Sequence, residues 1–229
     1  MRARRHSWYN TGMEKYTLIR KDRRSVSMRL DKDGNITVYA PLRLSQTEID
    51  RFVAAHARWL ARKRAELAAR APLPVIGGKE GDHVPFFGEE YTLRLWEKRS
   101  ATLRGGDIFL PQGDPCGALI RFYRRKLKAF LLPVLQKYAD EMGVKPQKAS
   151  IGSARTRWGV CSGRDALTFS WRLAMCAPFA AEYVAVHELC HIRHKDHSPA
   201  FWREVERFFP AYEEARAYLR QKSYFMEIL

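Results

Sequence analysis

The run His187-Glu188-Leu189-Cys190-His191 has the residue types and spacing for metal-assisted hydrolysis. Histidines four positions apart lie on one face of a helix, so both imidazoles can bind a single zinc ion. The glutamate between them can then act as a general base toward a water molecule at that ion. Four of the seven histidines of the chain fall between residues 187 and 197, which favours a metal site over a histidine-rich surface helix.

A catalytic zinc site needs a third protein ligand and an open position for water. His197 is favoured, because it follows His191 by six residues and directly precedes a helix start at Ser198, so the chain can turn its ring back toward the pair. His194 is the alternative, but on the same helix it would sit beyond the pair. The spacing also fits the metzincins. Against that class, His194 stands where they have glycine, and the only downstream methionine, Met226, lies at the C-terminal end.

Several predicted helices must position these residues. Pro178 is typical of the first turn of a helix, here the one that carries the motif. Ser198 and Pro199 predict a second helix start, and residues 211–220 form a third short helix. A longer amphipathic helix at about 116–142 precedes them.

Alternating apolar and polar residues predict strands in the N-terminal half. Residues 15–40 have the pattern of a hairpin or small meander, and residues 83–110 that of two further hairpins. Between them, a capping box at 45–48 begins a helix from about 46 to 69. His56, on the apolar side of that helix, is predicted to be a half-buried histidine rather than a ligand.

Two short strands are predicted just before the motif helix. They cover 148–153 and 166–173, and residues 155–162 between them are predicted to be a loop. No internal sequence repeat is apparent.

The composition is that of a folded globular protein. The chain has 229 residues, 46% apolar and 29% charged, which excludes wholesale disorder, a collagen-like repeat and a coiled-coil rod. No window has the roughly 18 apolar residues of a membrane span. The four cysteines have no CxxC spacing, so reduced thiols and a cytoplasmic location are expected.

Positive charge is concentrated in the N-terminal third. The chain has 41 Lys and Arg against 25 Asp and Glu, a net charge of +16. Residues 1–70 hold 17 basic and 7 acidic side chains, a net +10. Such an excess raises the local concentration of anionic partners, nucleic acid among them, although solvation of a basic enzyme explains it equally well.

Four segments resemble the YgjP-like metallopeptidase family, which comprises zinc-binding bacterial and archaeal proteins with a minimal gluzincin-like or SprT-like core. They are RTRWGVCS at 155–162, WRL at 171–173, YVAVHELCH at 183–191 and HSPAFW at 197–202. The resemblance extends from about residue 15 to 220. Val160 and Ser170 depart from the serine and asparagine that are usual in the family.

The resemblance implies roles for the motif residues. His187, His191 and His197 would hold one catalytic zinc ion, and Glu188 would be catalytic. It also implies that strand 166–173 is the sheet edge beside the active-site helix, where an extended peptide could add as a further strand.

The expected fold class is α+β. It comprises a β-rich N-terminal half with a capped helix, followed by a C-terminal zincin-like domain that carries the HExxH active-site helix. The expected domains are a mobile basic tail at 1–13, N-terminal hairpins and a helix at 14–111, and a zincin-like catalytic domain at 112–229.

A zinc-dependent metallohydrolase is the expected function, and hydrolysis of a peptide substrate is the first hypothesis. The second is a nucleoside triphosphate pyrophosphatase, with UTP as its nucleotide substrate, because some relatives are assigned that activity. The third is a SprT-like protease that binds nucleic acid through the basic N-terminal third. Substrate or oxyanion contacts are expected from residues in or near the motif segments: Arg155, Arg157, Arg172, Tyr183 and His194.

Overall fold

The structure, a computed structural model, describes residues 7–10, 14–31, 33–68 and 76–228. Helices and three small sheets make it an α+β fold, as the sequence predicts. The chain divides into two compact units, Met1–Leu73 and Pro74–Leu229. Within the described ranges, no helix is both long and apolar enough to cross a membrane.

The first unit contains a four-stranded sheet in the order β1-β2-β4-β3. Its strands are β1 Ser7–Asn10, β2 Lys15–Lys21, β3 Ser27–Leu30 and β4 Ile36–Pro41. The β3–β4 hairpin is confirmed, but β2 pairs with β4 in parallel and so does not continue a meander. Residues 7–10, predicted to lie in a mobile tail, form a strand paired with β2. The rest of that predicted tail, 1–6 and 11–13, lies outside the described residues.

Two helices follow this sheet, α1 Gln46–Ala55 and α2 Ala57–Ala68. The predicted capping box is present at the start of α1. The predicted single helix is broken at His56. In a continuous helix the backbone N–H of His56 would donate to the carbonyl oxygen of Phe52, but the His56 ring Nδ1 lies 2.7 Å from that oxygen and competes for it. The backbone N–H of His56 bonds to Val53 instead. His56 is half-buried, as predicted.

The second unit opens with a sheet of the same topology, in the order β5-β6-β8-β7. Its strands are β5 His83–Phe86, β6 Glu89–Trp96, β7 Thr102–Arg104 and β8 Asp107–Pro111. Both predicted hairpins are present, and β6 pairs with β8 in parallel, as β2 pairs with β4 in the first unit. The sequence shows no repeat, whereas the strand pairing repeats.

The long helix α3 Pro115–Met142 shares a core with this second sheet. Phe86 of β5 packs on Phe122 and Tyr123 of α3, with ring centroids 5.1 and 6.0 Å apart. The sheet therefore belongs with the C-terminal helices, and the unit boundary lies after Leu73 rather than after the predicted residue 111. Hydrophobic alternation shows which strand residues are buried, but not which helix buries them.

A three-stranded sheet lies next, in the order β10-β11-β9. Its strands are β9 Lys148–Gly152, β10 Gly159–Cys161 and β11 Ala166–Ser170. The expectation that 166–173 forms the sheet edge is wrong, because β11 is the central strand and residues 171–175 form a 3₁₀ helix. The edge beside the motif helix is β10, within a segment predicted to be a loop.

The last helices are α4 Pro178–Arg193, α5 Pro199–Phe208 and α6 Tyr212–Gln221, followed by a 3₁₀ segment Lys222–Glu227. All three helix predictions in this region are confirmed. The central helix α4 contacts α3, α5, α6 and β10. Its predominantly apolar sequence follows from this position, since nearly every side of it is covered.

Candidate active site

Three imidazoles converge between α4 and α5. His187 and His191 project from α4 with ring centroids 4.9 Å apart. His197, in the connection to α5, places its Nε2 3.2 Å from the Nε2 of His187. One ring nitrogen from each histidine lies within 4.8 Å of the others. Nitrogens that share a tetrahedral zinc ion are about 3.3 Å apart, so this donor set fits a metal ion.

An aromatic wall from α5 holds the three rings in place. The buried Phe201 packs against His187, His191 and His197 with centroid distances of 4.9, 4.5 and 4.8 Å. Trp202 lies 5.9 Å from His187 and 5.7 Å from His197. These contacts restrict ring rotation, so the nitrogens are positioned before a metal arrives.

Hydrogen bonds to the outer ring nitrogens determine which nitrogen faces the centre. The Nδ1 of His191 lies 2.9 Å from the carbonyl oxygen of His194. A carbonyl only accepts, so Nδ1 carries the proton and Nε2 keeps its lone pair for a metal. The Nδ1 of His187 lies 3.3 Å from the hydroxyl of Tyr183, which can accept from an Nδ1–H in the same way.

His194 lies outside the group of three. Its Nε2 pairs with Oε2 of Glu204 at 2.6 Å, and Oε1 of the same carboxylate accepts from Arg193 at 2.8 Å. The His194 side chain is thereby directed to α5, while its carbonyl oxygen bonds to His191. Among the described residues, His197 rather than His194 completes the group that could hold a metal.

Burial favours the neutral form of His187 and His191. It lowers the pKa of His187 to about 3, with further lowering from the neighbouring His191 and His197. Burial also lowers the pKa of His191. Neutral imidazole is the form that binds a metal, so the electrostatics suit the geometry.

The Glu188 carboxyl group lies against Gly159 of β10. Only 5% of Glu188 is exposed, and burial raises its pKa to about 7. The backbone N–H of Cys161 and the charge of Arg157 act against this rise. Such a carboxyl group can both accept and donate a proton near neutral pH, as a general base and acid must.

The approach of β10 to Glu188 depends on Gly159. A Cβ added at Gly159 would lie 2.6 Å from Oε1 and 2.9 Å from Cδ of Glu188. A side chain there would displace the carboxylate or the strand. The glycine therefore allows the edge strand to lie directly against the acid.

Two cavities adjoin Glu188 and share part of their lining. The first, of about 430 Å³, is lined by Arg157, Trp158, Gly159, Tyr183, Val184, His187, Glu188, Arg216, Leu219, Arg220 and Ser223. The second, of about 470 Å³, is lined by Thr156, Arg157, Gly159, Val160, Cys161, His187, Glu188, His191, Lys195 and His197. Glu188 and His187 line both cavities. A substrate that occupied both cavities would therefore have the bond between its two parts beside these two residues.

Residues 24–222 match the sequence model of the YgjP-like metallopeptidase domain. The chain belongs to this family. A metallopeptidase domain implies a metal, and the three-histidine group is where the described residues could hold one.

Other comparisons add little to the family assignment. No curated protein matches the chain significantly. One similar solved structure is the metallopeptidase zymogen of Pyrococcus abyssi abylysin, at 23% identity and a TM-score of 0.36. The alignment covers 42% of this chain and 94% of that one.

The predicted substrate contacts of this YgjP-like domain have different placements. Arg157 and Tyr183 line the first cavity. Arg172 is buried and donates from Nε and Nη2 to the carbonyl of Ile228, at 3.1 and 2.9 Å, so it anchors the C-terminal segment. Its neighbour Arg155 is exposed and lines neither cavity.

Sequence reasoning missed several residues of the YgjP-like site. Gly159, Phe201 and Glu204 carry no local signal of their role, since each reaches the site through packing of a separate element. For Arg216 and Arg220, the charge on one face of the last predicted helix is a signal, but such a face is usually solvated.

Proposed function

We propose that this YgjP-like domain is a zinc-dependent metallopeptidase. The observation that carries the proposal is the convergence of three imidazoles beside a buried carboxyl group. His187, His191 and His197 would hold one zinc ion, and Glu188 would be the general base. Membership of a metallopeptidase family supports the hydrolase class and a metal.

The chemistry divides between the metal and Glu188. When bound, zinc would supply Lewis acidity and lower the pKa of water. Glu188 accepts a proton from the attacking water and passes it to the leaving amine. The Cys161 N–H, which bonds to the Glu188 carboxyl group, holds it in position for both transfers.

The edge strand β10 offers backbone groups to a peptide. Ser170 N–H donates to the Trp158 carbonyl, and Ser162 N–H to the Ala166 carbonyl. Strand alternation then turns the N–H and C=O groups of Gly159 away from β11, toward the cleft. An extended peptide could bond there and lie across Glu188.

Tyr183 is the proposed oxyanion donor. Burial raises the pKa of its hydroxyl, so it stays protonated at neutral pH. If Nδ1–H of His187 donates to this oxygen, the hydroxyl proton is free to point into the first cavity. A donor beside the reacting carbonyl stabilises the developing negative charge.

The test is peptide cleavage by the metal-loaded protein and by Glu188→Gln. The variant should retain metal and lose turnover by about 100-fold or more, since general-base catalysis contributes that much. Glu206→Gln, at an exposed position of α5, is the matched control and should keep full activity. Equal cleavage by wild type and Glu188→Gln would remove Glu188 from the mechanism.

Pyrophosphatase activity on UTP is the second candidate. It is favoured by one observation, the three arginines at 157, 216 and 220 that line the first cavity, because guanidinium groups bind phosphate well. The measurement is pyrophosphate release from UTP, with Glu188→Gln as the control. Release that depends on Glu188, together with no cleavage of any peptide, would replace the peptidase proposal.

A further inference from the structure

The first cavity has a distinct chemical character. It is lined by Arg157, which follows β9, and by Arg216 and Arg220 of α6, and we call it the arginine pocket. Its remaining lining is largely apolar or aromatic, with Trp158 and Leu219 among it. Three guanidinium groups around an apolar floor suit a ligand with a short apolar stem and an anionic end.

The positive charge of the arginine pocket is only partly balanced. Arg216 lies 3.3 Å from Glu213 and stacks on Trp202 at 4.4 Å, so it is partly committed within the protein. Arg157 and Arg220 are exposed and have no ion-pair partner in the part of the chain that the structure describes. The carboxyl group within the lining is Glu188, which the mechanism uses. An anion entering the pocket would meet two guanidinium groups that have no ion-pair partner among the described residues, and of these only Arg157 also acts on the charge of Glu188.

The pocket also has the right position and size. It shares Arg157, Gly159, His187 and Glu188 with the second cavity, so its occupant would lie beside the carbonyl that the proposed mechanism attacks. Its volume of about 430 Å³ is at the lower end of the range for ligand sites, roughly 300–1,000 Å³. It therefore suits one or two substrate residues rather than a long segment.

We propose that the arginine pocket is a specificity pocket that binds a carboxylate of the peptide substrate next to the scissile bond. The inference rests on the proposed peptidase function and names its substrate class. The carboxylate can come from an aspartate or glutamate side chain or from the C-terminus of the peptide. Arg220 is its principal determinant, because it is uncommitted and lies apart from the residues that support the histidines.

The first experiment compares matched peptides on the metal-loaded protein. One arm uses end-capped peptides with glutamate or glutamine at each position around the cleaved bond. The other arm uses a free or an amidated C-terminus. We expect kcat/KM to favour one acid over its amide by about tenfold, the effect of one charged hydrogen bond. The arm that shows the preference identifies the source of the carboxylate.

Variants of Arg220 then link the preference to the pocket. Arg220→Gln should reduce the acid-to-amide ratio toward one, and Arg220→Lys should restore part of it. Arg220→Glu should shift the preference to lysine at the same position. Arg203→Gln is the matched control, because Arg203 is an exposed arginine of α5 that lines neither cavity. A ratio that is unaltered in all Arg220 variants would overturn the inference.

A binding measurement separates failure of this inference from failure of the proposed function. Metal-loaded Glu188→Gln should bind the acidic peptide about tenfold more tightly than its amide, and adding Arg220→Gln should abolish the difference. Cleavage of peptides with no acid preference overturns the pocket and leaves the peptidase. Absence of all peptide cleavage overturns the peptidase. Arg220-dependent binding of UTP, with no acid preference in either peptide arm, overturns the carboxylate assignment in favour of phosphate.

Discussion

At the scale of single residues, the absence of a side chain at Gly159 matters as much as the presence of Glu188. The strand that carries Gly159 can lie against the acid only because there is no Cβ between them. The acid in turn receives a backbone hydrogen bond from Cys161 on the same strand. Strand and carboxyl group therefore position each other.

Gly159→Ala tests this contact. The added Cβ would lie 2.6 Å from Oε1 of Glu188, so the carboxyl group must move and turnover should fall by about 100-fold, the cost of a misplacement of about 1 Å. Bound metal, measured by elemental analysis, should be unchanged. Gly163→Ala is the control, because a Cβ at Gly163 meets nothing within 4 Å. Equal loss of activity in both variants would contradict the proposed contact.

The two histidines that compete for the third ligand position have different expected effects. His197→Ala removes a ring nitrogen from the group of three, and metal affinity should fall by more than about 100-fold. Such a fall is larger than the one expected when only a hydrogen-bond partner of a metal ligand is removed. His194→Ala keeps the backbone carbonyl that bonds to His191, so the protein should still hold one metal ion. Titration against a chelator measures both, with the exposed His83→Ala as control. Metal loss in the His194 variant alone would reverse the assignment.

At the scale of elements, the site depends on how the end of α4 is fixed to α5. Glu204 of α5 bonds to both Arg193 and His194, and Arg193 also donates to the carbonyl of Met142, at the end of α3. The His194 carbonyl then orients the His191 ring. The Glu204 carboxylate of α5 thus supports the orientation of His191, a proposed metal ligand on α4, through the backbone of His194.

Glu204→Gln should weaken metal binding. The glutamine amide has one acceptor oxygen, whereas the carboxylate uses one oxygen for Arg193 and the other for His194. The His194 carbonyl therefore loses its support, and metal affinity should fall by about tenfold. Chelator competition measures the affinity, and melting of the metal-free protein shows whether the fold is intact. Glu206→Gln on the same helix is the control. Unchanged metal affinity in a folded Glu204→Gln protein would show that the ion pairs serve only stability.

At the scale of the whole molecule, the positive charge is uneven. Of the 41 basic residues, 17 lie at positions 1–70, which also hold 7 of the 25 acidic residues. This excess is the basis of the third functional hypothesis, a SprT-like protease that works on proteins bound to nucleic acid. Net charge affects association rather than fold, so the hypothesis is tested by binding.

We expect the full chain to bind duplex DNA in a salt-dependent way. If lysines and arginines of residues 1–70 neutralise phosphates, the logarithm of the binding constant falls linearly with the logarithm of salt concentration. Fluorescence anisotropy with labelled DNA between about 50 and 200 mM salt gives the slope. Replacing several arginines of this segment with glutamine should reduce the slope, whereas the same number replaced within 76–228 should not. Tight binding that is independent of salt would contradict an electrostatic interface.

Local chemistry determined much of the site and of the secondary structure. Helical periodicity and the proline at 178 predicted the motif helix, whose i and i+4 histidines must then share a face. The helix start at 198 placed His197 in a turn, where its ring can point back. The capping box and the hairpins were likewise predictable, because caps and turns depend on residues a few positions apart.

Only the tertiary structure decided what depends on contacts between distant segments. The parallel pairing of β2 with β4, the central place of β11, and the membership of the second sheet in the C-terminal unit each join residues far apart in sequence. The same holds for Gly159 against Glu188 and for Arg220 at the cleft. Periodicity shows whether a face of a helix or strand will be buried or solvated. The packing of the whole chain decides which element covers that face, and which charged side chain faces the candidate site.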